Sequence, residues 1–428
     1  MDRRRFLSAA ASAFPAFLPD STARAQAAAA GASGRPADVI ARDEDFWFNV
    51  RHAFTVDRNI VNLNNGGVSP SPKIVMDTEI RYLEVENMLP TYYMWRILDP
   101  GLETVRRRLA QCFGCDPEEI AITRNASEAL EIVQLGLDLK PGDEVVSTNQ
   151  DYPRMIATWQ QRARRDGIVF KQVTFQVPPP SLDYLAHRIE EAITPRTKVI
   201  HICHITFRTG QIFPVKQICQ MGRERGIEVI VDGAHSFCQW PFRQADLDCD
   251  YFGTSLHKWL LAPIGTGMLY VKKSKIPHIW PMMGADDELK TDIRKFEQIG
   301  THPASQRNAI TEALNFHESI GADRKAERFR YLRRRWSNRL RQLPGAKILN
   351  NDDPEQSCGI GFLTVDGIEA AKLVDYLWSK HRIWTTAVVT PGEYQGLRIT
   401  PNVYTTLEEI DTFANVMEKV IRAGRIPA

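Results

Sequence analysis

Short apolar runs alternate with longer segments of helical periodicity through the first two thirds of the chain. In the longer segments, apolar residues recur three and four positions apart, as on one face of a helix. The short runs are bounded by turn-forming residues and predict strands. Predicted strands cover 120–123, 144–147, 198–205 and 228–231, and predicted helices cover 102–113, 127–137, 154–166 and 215–225. Strands that alternate with helices predict βαβ units and a parallel sheet.

The pattern changes after Pro303. Helices are predicted at 308–321 and 324–343, and a β–α–β–β–α run then indicates a separate, smaller α+β domain. The elements of that run are 360–365, 369–380, 383–389, 396–399 and 407–423. The helix at 324–343 is strongly basic, with one apolar stripe formed by Phe329, Leu332, Trp336, Leu340 and Leu343. Its arginines are expected on a solvated face, because nucleic-acid binding needs a broader basic footprint.

Composition narrows the possible partners. The 428 residues carry a formal net charge of +2, with 43% hydrophobic and 25% charged residues, which is ordinary for a globular protein. This balance gives no argument for nucleic acid or a membrane as partner.

Seven cysteines in a chain of this length do not form a disulfide framework. The single pair Cys112-x-x-Cys115 has no second pair beside it, so a structural role is expected and no metal site.

The N-terminus has the order of regions found in a signal peptide. Arg-Arg-Arg-Phe-Leu at 3–7 is followed by an Ala-rich apolar stretch to Leu18, and Ala-Gln-Ala at 25–27 is a small-residue cleavage site. The consecutive arginines resemble a twin-arginine export signal; a Sec signal or a disordered tail is the alternative. We therefore expect a signal peptide over 1–27, a linker over 28–41, export by the twin-arginine machinery and a periplasmic enzyme without a stable membrane span.

A buried strand, 228–231, ends in Asp232. Ligands of open α/β sheets bind outside the carboxyl ends of the strands, so Asp232 lies where a site residue is expected. A carboxylate at that point would keep the pyridine nitrogen of pyridoxal 5′-phosphate (PLP) protonated and so make the ring an electron sink. A strand-terminal Asp is also a common helix N-cap, which is the alternative.

Two further elements supply a lysine and a candidate phosphate site. The run 251–259 brings Lys258 after Ser255 and His257. A lysine can bind the cofactor aldehyde and then act as acid or base at the substrate α-carbon, although a surface lysine is the alternative. The run 123–128 leads a strand into a helix, and free N–H groups at a helix start suit a phosphate. An ordinary capped helix is the alternative there.

Together, the runs 232–235 (Asp-Gly-Ala-His) and 255–259 (Ser-Leu-His-Lys-Trp) resemble the class V aminotransferase family. That family includes cysteine desulfurases, isopenicillin N epimerase-like proteins and kynureninases. The resemblance implies an α/β protein of PLP fold type I, whose large domain over 76–305 holds a mostly parallel seven-stranded sheet. It also implies a small α+β domain over 306–428 and an N-terminal segment, 42–75, that packs on the small domain and the active site.

The resemblance also implies roles for single residues. Lys258 would anchor PLP, Asp232 would pair with its ring nitrogen, and His235 would lie near its 3′-hydroxyl. The remaining cofactor-binding residues would be Asn125, Ala126, Ser127, Tyr152, Ser255, His257 and Thr301. Thr301 would reach the phosphate of a neighbouring subunit, which implies a homodimer with shared active sites. Arg398 would bind the substrate carboxylate, for which a planar guanidinium is suited, and Asn65 would lie over the substrate.

These features predict a PLP enzyme that acts at the α-carbon of an amino acid, or of an amino-acid residue in a larger secreted molecule such as a periplasmic peptide or siderophore. Transamination, epimerisation, elimination and decarboxylation remain open. The alternatives are a C–S lyase and a non-catalytic binding protein that retains the fold. Phe207 falls where desulfurases have an asparagine. Residues 383–398 contain no cysteine, and Cys358 is expected in the core, so desulfuration through a persulfide is disfavoured.

Overall fold

The computed structural model describes residues 20–427. The strands, in chain order, are β1 Val61–Asn62, β2 Ile120–Thr123, β3 Glu144–Thr148, β4 Val169–Val173, β5 Thr197–Cys203, β6 Glu228–Asp232, β7 Tyr251–Ser255, β8 Gly267–Val271, β9 Ala346–Ile348, β10 Gly361–Val365, β11 Ile383–Trp384, β12 Thr386–Thr390 and β13 Tyr394–Ile399.

The α-helices are α1 Asp20–Gly31, α2 Ala37–Ile40, α3 Glu44–Arg51, α4 Lys73–Met88, α5 Pro90–Tyr92, α6 Asp99–Phe113, α7 Ala126–Gly136, α8 Pro153–Asp166, α9 Leu182–Glu190, α10 Val215–Glu224, α11 Gln244–Leu247, α12 Ser305–Asn308, α13 Ile310–Ile320, α14 Ala322–Leu340, α15 Ala370–His381 and α16 Leu407–Ala423. A π-helix covers Tyr93–Leu98, and 3-10 helices cover Pro117–Glu119, Lys273–His278, Asp287–Leu289 and Ile293–Glu297. No described helix has the length and apolar character needed to cross a membrane.

The large sheet has seven strands in the order β2-β8-β7-β6-β5-β3-β4. All neighbouring pairs are parallel except those of β8, which runs antiparallel to both β2 and β7. The predicted α/β fold with a mostly parallel seven-stranded sheet is confirmed. The side chains of Val229, Ile230 and Val231 at its centre are fully buried, because helices cover both faces of the sheet.

Gly267 sets how closely α7 approaches the sheet. A Cβ atom at this position of β8 would lie 2.6 Å from the Cα of Asn125, the residue before α7. Only glycine allows this contact, so the helix start lies directly against the strand.

The small domain has a four-stranded antiparallel sheet in the order β12-β13-β10-β9. The predicted stripe of α14 lies within two cores: Phe329 belongs to the large core, and Leu332, Trp336 and Leu340 belong to the small one. The solvated face expected for the arginines of this helix is wrong in part, because Arg328 and Arg333 are buried. Arg328 pairs with Glu44 and lies over the ring of Trp47, so α3 covers part of that face.

The segment 28–41, expected to be a linker, contains the end of α1 and all of α2. Ala25, Ala29 and Ala32 recur four and three apart and are buried in the large core. Nη2 of Arg324 donates a 2.7 Å hydrogen bond to the carbonyl of Ala32 and so holds the end of α1. The Ala-rich composition predicted a linker here. Alanine also forms helices readily and allows close packing, so the chain forms a helix instead. The arginine motif at 3–7 lies outside the described residues.

The residues after α3 join the small domain to the large one. β1 pairs in parallel with β11, and Asn64 bridges to Thr400. The backbone N–H of Ser69 then donates to the carbonyl of His257 at 3.0 Å. This segment therefore lies over the carboxyl ends of the large sheet.

Candidate active site

Three elements bring their ends together at one edge of the large sheet. β6 ends at Asp232, β7 leads through Ser255 to Lys258, and β2 leads into α7. β6 and β7 are parallel neighbours, with Asp232 opposite Gly253. This edge holds the carboxyl ends of the parallel strands, where an open α/β sheet binds its ligand.

Lys258 keeps part of its side chain accessible, although the residues on both sides of it in the sequence are buried. Its Nζ lies 3.3 Å from Nε2 of His235. Burial lowers the pKa of Lys258 to about 8, and the carboxylate of Asp232 limits this effect. Burial also lowers the pKa of His235 well below its ordinary value, with further lowering by Lys258 and Arg398. His235 is therefore neutral, and Lys258 keeps a reactive fraction of free amine near neutral pH.

Asp232 is a buried carboxylate with no ion-pair partner among residues 20–427. Its Oδ1 accepts a 2.9 Å hydrogen bond from the backbone N–H of Ala234, and its Oδ2 lies 3.9 Å from Sγ of Cys203. Burial raises the pKa of Asp232 to about 6, although Lys258 acts in the opposite direction. A cation in direct contact would favour the charged carboxylate, so the site fits a ligand with a positive group at this end.

A second buried carboxylate, Asp151, lies near enough to Asp232 to act on its charge. Its Oδ2 accepts hydrogen bonds from Ser147 Oγ at 2.9 Å and from the backbone N–H of Thr148 at 2.8 Å, while its Oδ1 has no partner in the described part of the chain. Its negative charge contributes to the raised pKa of Asp232. Asp151 was not among the predicted site residues, and nothing in the local sequence pattern indicates its burial near Asp232.

The start of α7 forms the candidate phosphate site. Ser255 Oγ accepts a 2.9 Å hydrogen bond from the backbone N–H of Ala126, which leaves the hydroxyl proton of Ser255 free to donate. Ser127 lies in the first turn, where free N–H groups and the helix dipole favour an anion. The amide oxygen of Asn125 accepts from the N–H of Glu128 at 2.9 Å. Asn125 was expected to bind the cofactor, but this part of its side chain caps the helix.

His257 has a more restricted role than expected. Its Nδ1 lies 3.2 Å from the carbonyl of Thr266, so Nδ1 carries a proton and donates it. Burial lowers the pKa of His257 to about 4, and the neutral ring then has no proton on Nε2. His257 can donate to a phosphate only when the charge of the phosphate draws a second proton onto the ring.

Arg398 is a buried guanidinium that contacts no carboxylate in the described residues. Its Nη1 donates to the carbonyl of Phe207 at 3.1 Å, and its Nη2 donates to Oδ1 of Asn64 at 2.8 Å. Its Nε is buried without a partner. Burial lowers the pKa of Arg398 to about 10, still far above neutral, so the charge is retained. The charge of Arg398 also lowers the pKa of Lys258, which places the two cations in one site.

The asparagine beside Arg398 is Asn64 and not the predicted Asn65. The Asn65 amide nitrogen donates to the carbonyls of Asn62 and Thr400, and its oxygen accepts from the hydroxyl of Tyr404. Asn65 is fully buried and holds the segment in place. Sequence alone did not distinguish the two residues, because either neighbour in a non-helical segment can face the cleft.

Two aromatic rings meet beside Arg398. Tyr152, 40% exposed, packs edge-on against Phe207 with a centroid distance of 5.6 Å. The carbonyl of Phe207 accepts the hydrogen bond from Nη1 of Arg398, so this aromatic pair lies next to the guanidinium. The ring of Phe207 offers no hydrogen bond. In this it differs from the asparagine that desulfurases have at this position.

Thr301 lies elsewhere on the chain surface. It is exposed and borders a cavity lined by Trp95, Asp99 and Arg307, and none of the residues lining that cavity belongs to the Lys258 site. The predicted contact of Thr301 with the phosphate therefore requires a second chain.

The groups at the carboxyl edge fit PLP. The buried Asp232 lacks a cation and suits a protonated ring nitrogen, Lys258 suits an aldehyde, and the start of α7 suits a phosphate. These three groups come from neighbouring elements of one cleft, so one molecule can reach all of them.

Known proteins share this architecture. A family model described as aminotransferase class-V matches residues 61–413. An isopenicillin N epimerase from Streptomyces clavuligerus is 29% identical over 391 residues, covering 87% of this chain and 98% of that protein. A probable cysteine desulfurase from Mycolicibacterium paratuberculosis is 25% identical over 415 residues, covering 90% of this chain and 60% of that protein. A solved structure of a C-DES mutant, with glycine covalently linked to its PLP cofactor, has a TM-score of 0.74 at 24% identity, covering 85% of this chain and 98% of that chain.

The fold and the cleft define a PLP-dependent enzyme of fold type I. More specifically, the chain belongs to the aminotransferase class-V family. The predicted fold class, cofactor and enzyme class are confirmed.

Proposed function

We propose that this enzyme acts at the α-carbon of an amino acid, or of an amino-acid residue in a larger molecule, by epimerisation or amino transfer. The observation that carries the proposal is the buried Arg398, which has no carboxylate partner in the described residues and one unpartnered N–H. A carboxylate bound there would also approach Lys258, whose pKa Arg398 lowers. Arg398 would thus hold the α-carboxylate while Lys258 faces the α-carbon.

Each residue of the cleft would have a separate role in the reaction. PLP, when bound, supplies a ring that accepts the electron pair released at the α-carbon. Asp232 would keep the ring nitrogen protonated, and Lys258, with its lowered pKa, would remove and return the α-proton at Nζ. Neutral His235, 3.3 Å from Lys258 Nζ, would orient that amine. Ser127 and Ser255 would hold the phosphate.

The hairpin β12–β13 lies where a desulfurase would carry its nucleophilic cysteine. Tyr394 donates its hydroxyl proton to Gln150 Oε1, and Nη1 of Arg208 donates to the carbonyl of Val389 at 2.9 Å. These contacts hold both strands of the hairpin on the large domain. Cys358 is fully buried in the large core, where its Sγ lies 3.9 Å from the carbonyl oxygens of Gln239 and Ala326. The chain therefore favours chemistry that needs no cysteine nucleophile.

A partly exposed aromatic pair supports a substrate larger than a free amino acid. Tyr152 and Phe207 lie next to Arg398, and Tyr152 is accessible from solvent. Such rings can pack against an apolar or peptide portion beyond the reacting residue. If the N-terminal signal-peptide pattern directs export as proposed, this substrate would be a secreted peptide or siderophore in the periplasm.

A homodimer with shared sites is part of the proposal. Met76, Ile80 and Leu83 follow the i, i+4, i+7 pattern on α4 and are exposed, and the apolar surface continues through Met88, Leu89, Tyr92, Trp95 and Ile97. A continuous apolar surface of this kind is typical of a protein interface. It adjoins the loop of Thr301, because Glu86 of α4 accepts hydrogen bonds from the backbone N–H groups of Ala304 and Ser305. A second copy on this surface would bring Thr301 close to the other chain.

The decisive experiment follows the α-hydrogen. PLP-loaded protein would be incubated in D2O with L- and D-amino acids, dipeptides and acylated amino acids, with and without a keto acid. We expect deuterium at the α-carbon, with either inversion of configuration or keto-acid-dependent loss of the amine. Release of pyruvate and ammonia from a sulfur amino acid would establish the C–S lyase alternative instead. Absence of exchange with every substrate, in protein whose Lys258 binds PLP, would contradict the proposal and favour a binding protein. Lys258→Ala is the control.

Export is tested separately. The predicted cleavage site at 25–27 lies within α1, whose Ala25 is buried in the large core, so cleavage there would remove the part of this helix before Ala28. We expect the protein in the periplasmic fraction to begin near Ala28, and expect lysine in place of the arginines at 3–5 to retain it in the cytoplasm. A periplasmic protein that still begins at Met1, or unchanged export of the lysine variant, would contradict the twin-arginine prediction.

A further inference from the structure

Two cysteines outside the PLP cleft face each other. Sγ of Cys112, on α6, lies 4.0 Å from Sγ of Cys238, in the turn after β6. Cys238 is buried, whereas Cys112 is partly accessible. His317 of α13 completes the cluster, since its ring nitrogen and the two sulfur atoms lie within 4.8 Å of one another.

A buried lysine supplies positive charge to this thiol pair. Nζ of Lys325 donates to the carbonyl of Trp259 at 2.6 Å and lies 3.1 Å from Nδ1 of His317. Among the described residues, no carboxylate lies within ion-pair distance of this ammonium. Lys325 is fully buried, and burial lowers its pKa to about 8, while charge on either sulfur would raise it again. A thiolate is therefore the natural counter-charge of Lys325.

The two thiols differ in pKa and in accessibility. The hydrogen bond with Cys238 lowers the pKa of Cys112. Burial and the negative charge of Glu318 oppose this effect, and the positive charge of Lys325 adds to it. Burial raises the pKa of Cys238. A partly accessible thiol with a lowered pKa beside a buried thiol is the usual arrangement of an attacking and a resolving cysteine.

We propose that Cys112 and Cys238 form a reversible disulfide by exchange with a small-molecule disulfide such as oxidised glutathione. The Cys112 thiolate attacks one sulfur of the small disulfide, and one small thiolate leaves. The sulfur of Cys238 then attacks Cys112, its proton passes to the departing thiolate, and a second small thiol leaves. Two protein thiols are oxidised to one S–S bond, and the small disulfide is reduced to two thiols. Each sulfur must move by about 1 Å to reach bonding distance.

The disulfide would lie next to the active site, but neither cysteine belongs to the PLP cleft. Cys238 lies in the same turn as His235, and Lys325 binds the carbonyl of Trp259, the residue after Lys258. A bond between Cys112 and Cys238 would tie α6 to that turn and close a loop of residues far apart in the sequence. We therefore expect a higher melting temperature for the oxidised protein.

The test uses PLP-loaded protein equilibrated in glutathione buffers of increasing oxidised fraction. Remaining thiols are counted under denaturing conditions, and non-reduced peptides are mapped by mass spectrometry. We expect the loss of two thiols, a peptide pair joined through Cys112 and Cys238, and reversal by dithiothreitol. Cys115→Ser, three residues from Cys112, is the matched control and should give the same linked pair. Cys112→Ser and Cys238→Ser should each abolish it, and Lys325→Met should slow its formation severalfold.

Three results would overturn the proposal. One is a stable glutathione adduct on Cys112 with no internal bond, and another is a linked pair of Cys112 with Cys115. The third is protection of both thiols by bound Zn2+, seen by native mass spectrometry and reversed by a chelator, which would make the cluster with His317 a metal site. None of these readouts depends on turnover, so they are independent of the proposed function.

Discussion

Nη2 of Arg398 donates a 2.8 Å hydrogen bond to Oδ1 of Asn64. Asn64 follows β1 near the start of the folded chain, and Arg398 lies on β13 near its end. The bond holds the guanidinium in the cleft without neutralising it, because an amide oxygen carries no net charge. Arg398 is thus oriented and still able to bind a carboxylate.

Replacing Arg398 with Ala should weaken binding of a substrate that has a free α-carboxylate. The loss of charge-assisted hydrogen bonds is expected to cost about 1.5–3 kcal/mol, or roughly a 10- to 150-fold increase in KM. Arg339→Ala is the control, since its guanidinium pairs with Glu418 of α16 in the small domain. An unchanged KM for Arg398→Ala would mean that the substrate presents no free carboxylate at this site.

The isosteric change Asn64→Asp should also weaken substrate binding. The new carboxylate would pair with Arg398 and compete with the carboxylate of the substrate. Steady-state kinetics should show a higher KM than for Asn64→Ala, which removes the hydrogen bond without adding charge. If the two variants gave equal KM values, direct competition for Arg398 would be ruled out.

Loading of PLP should depend on pH in a way that reports Lys258. Only the neutral amine attacks an aldehyde, and burial lowers the pKa of Lys258 to about 8. The rate of loading into apo-protein, followed by borohydride trapping and peptide mapping, should rise about tenfold per pH unit and level off near pH 8. Lysines with an ordinary pKa would continue to gain reactivity up to about pH 10. The buried Lys295 and Lys325 should remain unlabelled, and a label on either would show that the anchor is assigned wrongly.

Asp232→Asn should stabilise the apo-protein at neutral pH and abolish turnover. Burial raises the pKa of Asp232 to about 6 in the folded state, so the folded protein keeps this proton between about pH 4 and 6 while the unfolded chain releases it. Stability from this group is therefore present at low pH and lost as pH rises through 6, at a cost of about 3 kcal/mol. By pH 5 more than half of this stability is already lost, so about 1.4 kcal/mol should remain to be lost between pH 5 and pH 7.5. Denaturant unfolding at these two pH values should show a pH dependence that is smaller by about this amount in Asp232→Asn than in the wild type.

Asp250→Asn is the matched control for that substitution. Burial also raises the pKa of Asp250, but Asp250 accepts a hydrogen bond from the N–H of Val229, at the opposite end of β6. Its variant should retain turnover. An Asp232→Asn protein with normal activity would contradict the role given to this carboxylate.

Ile80→Glu should dissociate the proposed dimer. A charge in the middle of the apolar stripe of α4 would have to be buried in the interface, which is unfavourable without a partner. Sedimentation should show wild-type dimer and a variant shifted to monomer, with weaker PLP binding because Thr301 would be lost from the shared site. Val169→Glu introduces the same charge at an exposed apolar residue outside α4 and should leave the dimer intact. A wild-type monomer that binds PLP fully would exclude shared sites.

The sequence predicted the chemical centre of this fold better than its periphery. Asp232 and Lys258 were found because a buried strand has a local pattern and its carboxyl end has a fixed meaning in α/β sheets. The strands β4 and β8 were missed. β4 lies at the edge of the sheet and contains Lys171 and Gln172, and β8 reverses direction after the lysine, which no βαβ pattern indicates.

Other features depend on contacts between distant parts of the chain. The burial of Arg328 follows from α3 packing over it, and the choice between Asn64 and Asn65 follows from the bridge to Thr400. Cys112 and Cys238 were unconnected in sequence, and the isolated motif at Cys112 and Cys115 directed attention to the wrong pair. Periodicity describes one element at a time, so it cannot identify which elements meet.

The pairing of β1 with β11 has a consequence for synthesis on the ribosome. Residues 61–64 are synthesised more than 300 residues before their partners at 383–400. The large domain can close around its core during translation, while the segment that carries Asn64 must wait for those partners. A nascent or truncated chain that contains Asp232 and Lys258 but not residues 383–400 therefore still lacks the substrate side of its cleft, and activity requires that these residues have been made.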